Sequence, residues 1–288
     1  MRILITGANG RLGSSLVPLL QAAGHDVIPA IYSETTVDFD MADFRSTRAY
    51  VEAARPQLVI HPAAWTDVDG CARDPERAIR VNGLGTHNVA LAAARVGAAI
   101  AYISSNEVFD GKTSAPYREY DPTRPINPYG YSKWVGEQAI QHINPQHYII
   151  RTAWLFAHGG KNFIQSILNA ANAGKPIRVV TDEIANPTYN EDLAQAVAAL
   201  VLSERYGVYH LTNEGYCSRW TFARYALDHA GFADLQIDKI TAREWNRPSV
   251  PPAFSPLANT AAAMIGVRLR NWQAAVDTFL KREGLWVK

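Results

Sequence analysis

A β-forming run, Arg2-Ile3-Leu4-Ile5-Thr6, leads directly into Gly7-Ala8-Asn9-Gly10-Arg11-Leu12-Gly13. Beyond it Leu12, Leu16, Leu19 and Leu20 recur at helical spacing as far as Ala23. Glycines spaced GxxGxxG at a strand-to-helix turn allow a tight reversal, close backbone approach to a pyrophosphate and close helix–strand contact. The phosphates then lie on the positive end of the helix. Gly7, Gly10, Arg11, Leu12 and Gly13 are therefore candidate cofactor-binding residues. Dinucleotide sites of this kind usually carry an acidic residue at the end of the second strand, for the adenosine ribose. Here that place reads Pro29-Ala30-Ile31-Tyr32-Ser33, with no carboxylate before Glu34. Without that repulsion, and with Arg11 able to donate to a 2′-phosphate, the pattern favours NADPH and still admits NADH. A solvated side chain at the helix start accounts for Arg11 equally well.

The loop opens a longer alternation. Strand-like segments at Asp26–Ile31, Leu58–Ile60, Ala99–Ile103 and Tyr148–Ile150 are separated by helical ones at Phe44–Ala54, Pro75–Val96 and Tyr129–His142. Strands separated by helices imply parallel crossovers, hence an α/β fold with a Rossmann-type doubly wound parallel sheet. Later strand candidates (Ile177–Thr181, Val208–Thr212, Ile237–Ile240) are shorter. They alternate with helices near Glu191–Leu202, Ser218–His229 and Asn271–Lys281, with Asn190 and Ser218 as helix caps. The expected division is an NAD(P)-binding domain over 1–160 and a smaller C-terminal α/β substrate lobe over 161–288, the chain returning to the first domain within 161–215. A proline-rich stretch, Arg247 to Pro252, reads as a shaped loop.

Composition narrows the partners. Lys and Arg total 28 against 27 Asp and Glu, which argues against nucleic-acid or anionic-membrane binding. The longest apolar stretch, Val89 to Ile103, is broken by Arg95 and Gly97 and falls short of the ~18 residues of a membrane span. Cys71 and Cys217 form no CxxC pair and read as reduced, structural thiols of a cytoplasmic protein. The eight histidines show no HxH or HExxH spacing, so no metal is expected.

Tyr129-Gly130-Tyr131-Ser132-Lys133 sets a phenol and an ammonium on one helix face. Lys133 would hold nicotinamide ribose hydroxyls while its charge lowers the phenol pKa, making Tyr129 a proton donor to a carbonyl receiving hydride. A hydroxyl partner is expected at the end of the fourth strand, where Ser104-Ser105 stands.

Together these features resemble the extended short-chain dehydrogenase/reductases and, more narrowly, the dTDP-4-dehydrorhamnose reductase family. The resemblance covers almost the whole chain. Matching segments include Phe39-Asp40-Met41-Ala42-Asp43 (family LDxxD), Ala63-Ala64-Trp65-Thr66-Asp67-Val68-Asp69 (AAYTxVD) and Val108-Phe109-Asp110-Gly111 (VFDG). Further matches are Arg151-Thr152-Ala153-Trp154-Leu155-Phe156 (RTSWLY), Asn162-Phe163, and Val179-Val180-Thr181-Asp182 followed by Asn186-Pro187-Thr188-Tyr189 (VVxDQxGxPTY). The resemblance implies reduction of a nucleotide-linked 4-keto-6-deoxy sugar. Gly10, Arg11 and Leu12 would meet the cofactor pyrophosphate, Asp40 and Met41 the adenine. Ala63, Ala64, Trp65, Tyr129 and Lys133 would surround the nicotinamide. Ser105 would hydrogen-bond the substrate carbonyl and Tyr129 protonate it; Thr66, Val68 and Trp154 match sugar-contacting positions.

Three departures bear on the substrate. The family's STDYVF is Ser104-Ser105-Asn106-Glu107-Val108-Phe109 here, so Asn106 and Glu107 change two residues beside the sugar. The basic ARRPxxSxL segment is Ser249-Val250-Pro251-Pro252-Ala253-Phe254-Ser255-Pro256-Leu257, leaving Arg247 or Arg243 to replace the lost arginines. The Gln and Gly of VVxDQxG are Glu183 and Ala185. The carboxylates that bridge a metal-dependent dimer in some members have no clear counterparts, so the resemblance too implies no metal; a monomer or homodimer is expected. Two alternatives stay open: the same chemistry on another nucleotide sugar, and a non-catalytic NADP-binding subunit resembling the regulatory subunit of methionine adenosyltransferase.

Overall fold

The computed structural model describes residues 1–32, 38–159 and 162–287. β1 (Arg2–Thr6) passes through the glycine loop into α1 (Arg11–Ala22), followed by β2 (Asp26–Ala30), α2 (Phe44–Ala54) and β3 (Leu58–His61). The Asp43 carboxylate caps α2 by accepting from the Arg45 and Ser46 amides, and Pro56 forbids continuation at the other end. Periodicity predicts one helix from Pro75 to Val96. The chain instead forms α3 (Val68–Arg73), α4 (Pro75–Ala78), a π-helical turn over Ile79–Leu84 and α5 (Gly85–Arg95). Side-chain spacing alone does not reveal the extra residue of a π turn. β4 (Ala99–Ser105), α6 (Pro128–Ile143) and β5 (His147–Thr152) complete the first half.

The second half holds short pieces: β6 (Leu155–Phe156), α7 (Phe163–Asn172), β7 (Arg178–Val180), β8 (Ile184–Ala185) and β9 (Thr188–Tyr189). After them come α8 (Asn190–Val201), β10 (Gly207–His210), β11 (Cys217–Ser218), α9 (Arg219–Asp228), β12 (Asp238–Ile240), α10 (Thr260–Met264) and α11 (Trp272–Arg282). β10 pairs with β5, so the chain returns to the large sheet there.

That sheet has six parallel strands in the order β10-β5-β4-β3-β1-β2. The direction of winding reverses between β1 and β3, and ligands of such sheets bind outside the carboxyl ends at that switch. One sheet face is covered by α1 and α8 through Leu12, Leu16, Leu193 and Val197. The other is covered by α2, α5 and α6 through Val51, Val89, Ala93 and Ile140. A separate core joins α7, α9 and α11 around Phe156, Phe222 and Phe279.

Ser218 caps α9 as expected, accepting from the Thr221 amide at 3.0 Å. Asn190 does not cap α8. It is the first helical residue, and its amide donates to the Arg11 carbonyl (2.9 Å) and the Ser15 hydroxyl (2.6 Å), tying α8 to α1. Among the described residues no helix is long and apolar enough to cross a membrane.

Candidate active site

A cavity of about 750 Å³ opens at the carboxyl ends of β1, β3, β4 and β5. It is lined by the glycine loop, Asp40, Met41, Ala63 to Thr66, Val68, Ser105 to Glu107, Tyr129, Lys133 and Trp154. Residues separated by up to 147 positions in the chain thus line one cavity, because each follows a parallel strand or opens the next helix.

The loop is built for close approach. Gly7 has φ +58°, a left-handed conformation suited to glycine, and a Cβ there would press on Ala63 at 3.0 Å. A Cβ at Gly13 would lie 2.3 Å from the Gly7 carbonyl oxygen and 2.7 Å from the Ala8 Cα. Both are backbone atoms and cannot turn aside. At Gly10, by contrast, only the Gly7 carbonyl comes near, at 3.1 Å. The start of α1 therefore presents bare backbone to the cavity, and these residues fit a dinucleotide pyrophosphate. Gly13→Ala is expected to weaken nucleotide binding at least tenfold and to cost about 1–3 kcal/mol of stability. Nucleotide titration and chemical denaturation check the two effects.

The end of β2 does carry a carboxylate. Asp38 returns to it, accepting from the Ile31 amide at 2.6 Å while its own amide donates to the Ile31 carbonyl at 3.3 Å. Glu34, the nearest acid in sequence, lies outside the described residues. Asp38 does not line the cavity.

Tyr129 and Lys133 lie on α6, which begins at Pro128 and is capped by Asn127, whose side chain accepts from the Gly130 amide at 2.8 Å. Gly130 is required there: a Cβ would sit 2.0 Å from the Glu107 carbonyl oxygen. This contact brings the turn after β4, with Ser105, against the first turn of α6. Ser105 Oγ accepts from the Glu107 amide at 3.2 Å and hydrogen-bonds the Tyr129 phenol.

Burial, then the Glu107 and Cys71 charges, push the Tyr129 phenol above its ordinary value, against the Ser105 hydrogen bond. The expected direction was downward, through Lys133. Lys133 is 2% exposed, with its Nζ 4.2 Å from the Tyr102 ring centroid, and burial pulls its pKa down to about 7 against Glu137 and Cys71. A lysine this desolvated is a weak source of positive charge for its neighbour.

Sequence reasoning missed several supporting residues. Asn82, in the π turn, accepts from the Trp65 amide (2.7 Å) and donates to the Trp65 carbonyl (3.0 Å) and the Ser132 hydroxyl (3.0 Å). It clamps the Ala63–Trp65 wall to α6. Burial holds His61 neutral, its pKa lowered to about 3, between the hydroxyls of Thr6 (2.6 Å) and Thr86 (3.1 Å). Their partners lie 17 to 55 residues away, so no local pattern marks them.

At the other end of the cavity Trp154 adopts φ +40°, a strained conformation for a bulky residue. Its indole carries the Arg219 guanidinium 3.6 Å above the ring centroid. Arg219 lines the cavity, whereas Arg243 and Arg247 do not. Arg247 is held instead by Asp69, at 3.0 Å. Asn106 lines the cavity too, although its amide is spent on the Ser255 hydroxyl at 2.7 Å.

A doubly wound parallel sheet with a glycine loop at its switch point, and a Ser, Tyr and Lys converging on that loop's cavity, defines the extended short-chain dehydrogenase/reductase class. The profile of the RmlD substrate binding domain matches residues 1–284. The spore coat polysaccharide biosynthesis protein SpsK of Bacillus subtilis is 38% identical over 97% of this chain and 97% of its own. The dTDP-4-dehydrorhamnose reductase of Streptomyces griseus is 35% identical over 96% of this chain and 91% of its own. The crystal structure of dTDP-4-dehydrorhamnose reductase from Bacillus anthracis in complex with NADP superposes with a TM-score of 0.90 at 31% identity, covering 98% of this chain and 99% of that one. The chain belongs to the dTDP-4-dehydrorhamnose reductase family.

Proposed function

We propose that this chain is an NADPH-dependent reductase of a nucleotide-linked 4-keto-6-deoxy sugar, with dTDP-4-dehydro-L-rhamnose as substrate and dTDP-L-rhamnose as product. The observation that carries this reading is the convergence of Ser105, Tyr129 and Lys133 on the cavity that the glycine loop also lines. The NADP complex of the Bacillus anthracis relative supports NADPH as the cofactor; NADH stays open as a second donor only on the sequence pattern at the end of β2. When bound, the reduced nicotinamide supplies a hydride.

Gly7, Gly10, Arg11, Leu12 and Gly13 hold the pyrophosphate against the start of α1, and Asp40 with Met41 flank the adenine. Ala63, Ala64 and Trp65 wall the nicotinamide, and Lys133 takes its ribose hydroxyls. Ser105 donates a hydrogen bond to the C4 carbonyl oxygen of the sugar. Tyr129 Oη gives that oxygen its proton as C4 becomes tetrahedral, and the phenolate recovers a proton from solvent. A phenol held above its ordinary pKa is fully protonated at neutral pH, the state in which this step starts. Thr66, Val68, Asn106, Glu107 and Trp154 receive the sugar on the rim of a cofactor domain over 1–160, which faces a substrate lobe over 161–288. The enzyme works in the cytoplasm, as a monomer or homodimer.

Purified protein incubated with dTDP-4-dehydro-L-rhamnose and NADPH tests the reading. One NADPH consumed per dTDP-L-rhamnose formed is expected. NADPH bound but not consumed contradicts it.

A further inference from the structure

Glu107 stands two residues past Ser105, and its backbone touches both catalytic hydroxyls' supports: its amide donates to Ser105 Oγ, and its carbonyl packs under Gly130, next to Tyr129. Glu107 lines the cavity beside Ser105, Asn106 and Tyr129. One carboxylate oxygen, Oε2, accepts from Asn127 Nδ2 at 2.5 Å. Asn127 is fixed in turn by donating to the Val250 carbonyl at 3.2 Å and by capping α6. The other oxygen, Oε1, makes no hydrogen bond among the described residues. An ionised carboxylate offers about four acceptor positions and no donor. This one is therefore oriented by the protein and only partly used by it.

We propose that Glu107 is a specificity-determining residue whose carboxylate accepts hydrogen bonds from hydroxyl groups of the hexose ring beside the reacting carbon. The inference rests on the reductase reading above, and it names what that site selects: a sugar bearing donors next to C4, over a deoxygenated one. Placement decides which part of the substrate Glu107 meets. Tyr129 and Ser105 address the C4 oxygen, so a cavity-lining residue whose backbone packs against both is placed to meet the neighbouring ring positions.

The charge of the surroundings points the same way. Glu183 (between β7 and β8), Arg219 (start of α9), Arg247 (proline-rich loop) and Tyr129 (α6) face this carboxylate. Glu183 is itself buried and pairs with Arg219 at 3.8 Å, while Arg247 is taken by Asp69. Carboxylates thus offset both arginines, which leaves the corner poorly suited to a diphosphate and well suited to hydroxyl donors. Burial, reinforced by Glu183, raises the Glu107 acid to about 6 in spite of Asn127 and the two arginines. Above that pH the group accepts hydrogen bonds. As pH falls through about 6 it takes up a proton and loses acceptor capacity.

Calorimetric titration of dTDP and of dTDP-L-rhamnose into protein saturated with NADP⁺ tests this, in wild type and in Glu107→Gln. The amide is isosteric and still accepts from Asn127. Glu107→Gln is expected to weaken dTDP-L-rhamnose roughly 10- to 100-fold, the range for a hydrogen bond to a charged group, and to leave dTDP unchanged. Wild-type affinity for dTDP-L-rhamnose falls as the pH drops through about 6, and that of Glu107→Gln does not. Unchanged dTDP-L-rhamnose affinity in the variant, or equal loss for both ligands, overturns the proposal. A failure of the reductase reading is seen separately, as absence of NADPH oxidation by wild type, because the titration requires no turnover.

Discussion

Tyr129→Phe lowers kcat by roughly 100- to 10,000-fold, the contribution of a positioned general acid, and leaves NADPH affinity within a few-fold. The change removes one oxygen and keeps the ring, so α6, its Asn127 cap and the Gly130 contact persist. On the proposed mechanism, what disappears is the proton that the C4 oxygen receives as hydride arrives, together with the hydrogen bond to Ser105. Water substitutes poorly in a wall where Tyr129 sits among buried groups. Stopped-flow measurement of NADPH oxidation, beside a fluorescence titration of NADPH, separates the two quantities. An unchanged kcat would remove Tyr129 from the mechanism. Loss of NADPH affinity in proportion to kcat would make it a binding residue only.

Arg151→Met is expected to cost about 3–5 kcal/mol of stability, because it strands a buried carboxylate. Arg151 on β5 and Glu137 on α6 form a two-pronged pair, Nε to Oε1 at 2.9 Å and Nη2 to Oε2 at 2.7 Å, with side chains 5% and 1% exposed. Ser104 on β4 donates to the same carboxylate at 2.5 Å. Glu137 lies one helical turn beyond Lys133, so the cluster pins α6 to two central strands. Removing the cation leaves the buried Glu137 carboxylate with the Ser104 hydroxyl but without its ion-pair partner. The double change Arg151→Met with Glu137→Leu recovers much of the loss, because replacing a whole buried pair by apolar groups is far cheaper than breaking it. Denaturation of the two single variants and the double variant closes the cycle. Equal stability of wild type and Arg151→Met would show that the pair is not needed to hold α6.

Much of the architecture was legible in the sequence because it is encoded locally. The glycine loop, the Tyr129–Lys133 spacing and the strands through β5 are patterns within a dozen residues and correspond to observed elements, whereas the single helix expected over Pro75–Val96 does not. The candidate site was legible for the same reason: each residue sits at a strand end or helix start, where a parallel sheet collects its ligands. Contacts between distant segments were not legible. Arg219 reaches the cavity from the start of α9 by lying on Trp154, 65 residues earlier, and nothing around Ser218 announces it. Asp38 meets the end of β2 through hydrogen bonds to Ile31, seven residues earlier, which no local pattern marks. Asn190 carries a cap-forming side chain that pays better as a tie between α8 and α1. The direction of the Tyr129 shift failed for a related reason. Proximity of Lys133 was readable, but burial of that lysine was a property of the assembled core.

In the proposed reaction, hydride passes to C4 of a nucleotide-linked sugar in this cavity, with Tyr129 supplying the proton. Isotope transfer tests it most directly. NADPH deuterated at the transferring carbon is incubated with dTDP-4-dehydro-L-rhamnose, and the product is read by mass spectrometry and NMR. The account predicts one deuterium at C4 of dTDP-L-rhamnose with wild type, and almost none in the same time with Tyr129→Phe. Product without deuterium, or deuterated product formed equally fast by Tyr129→Phe, would contradict it.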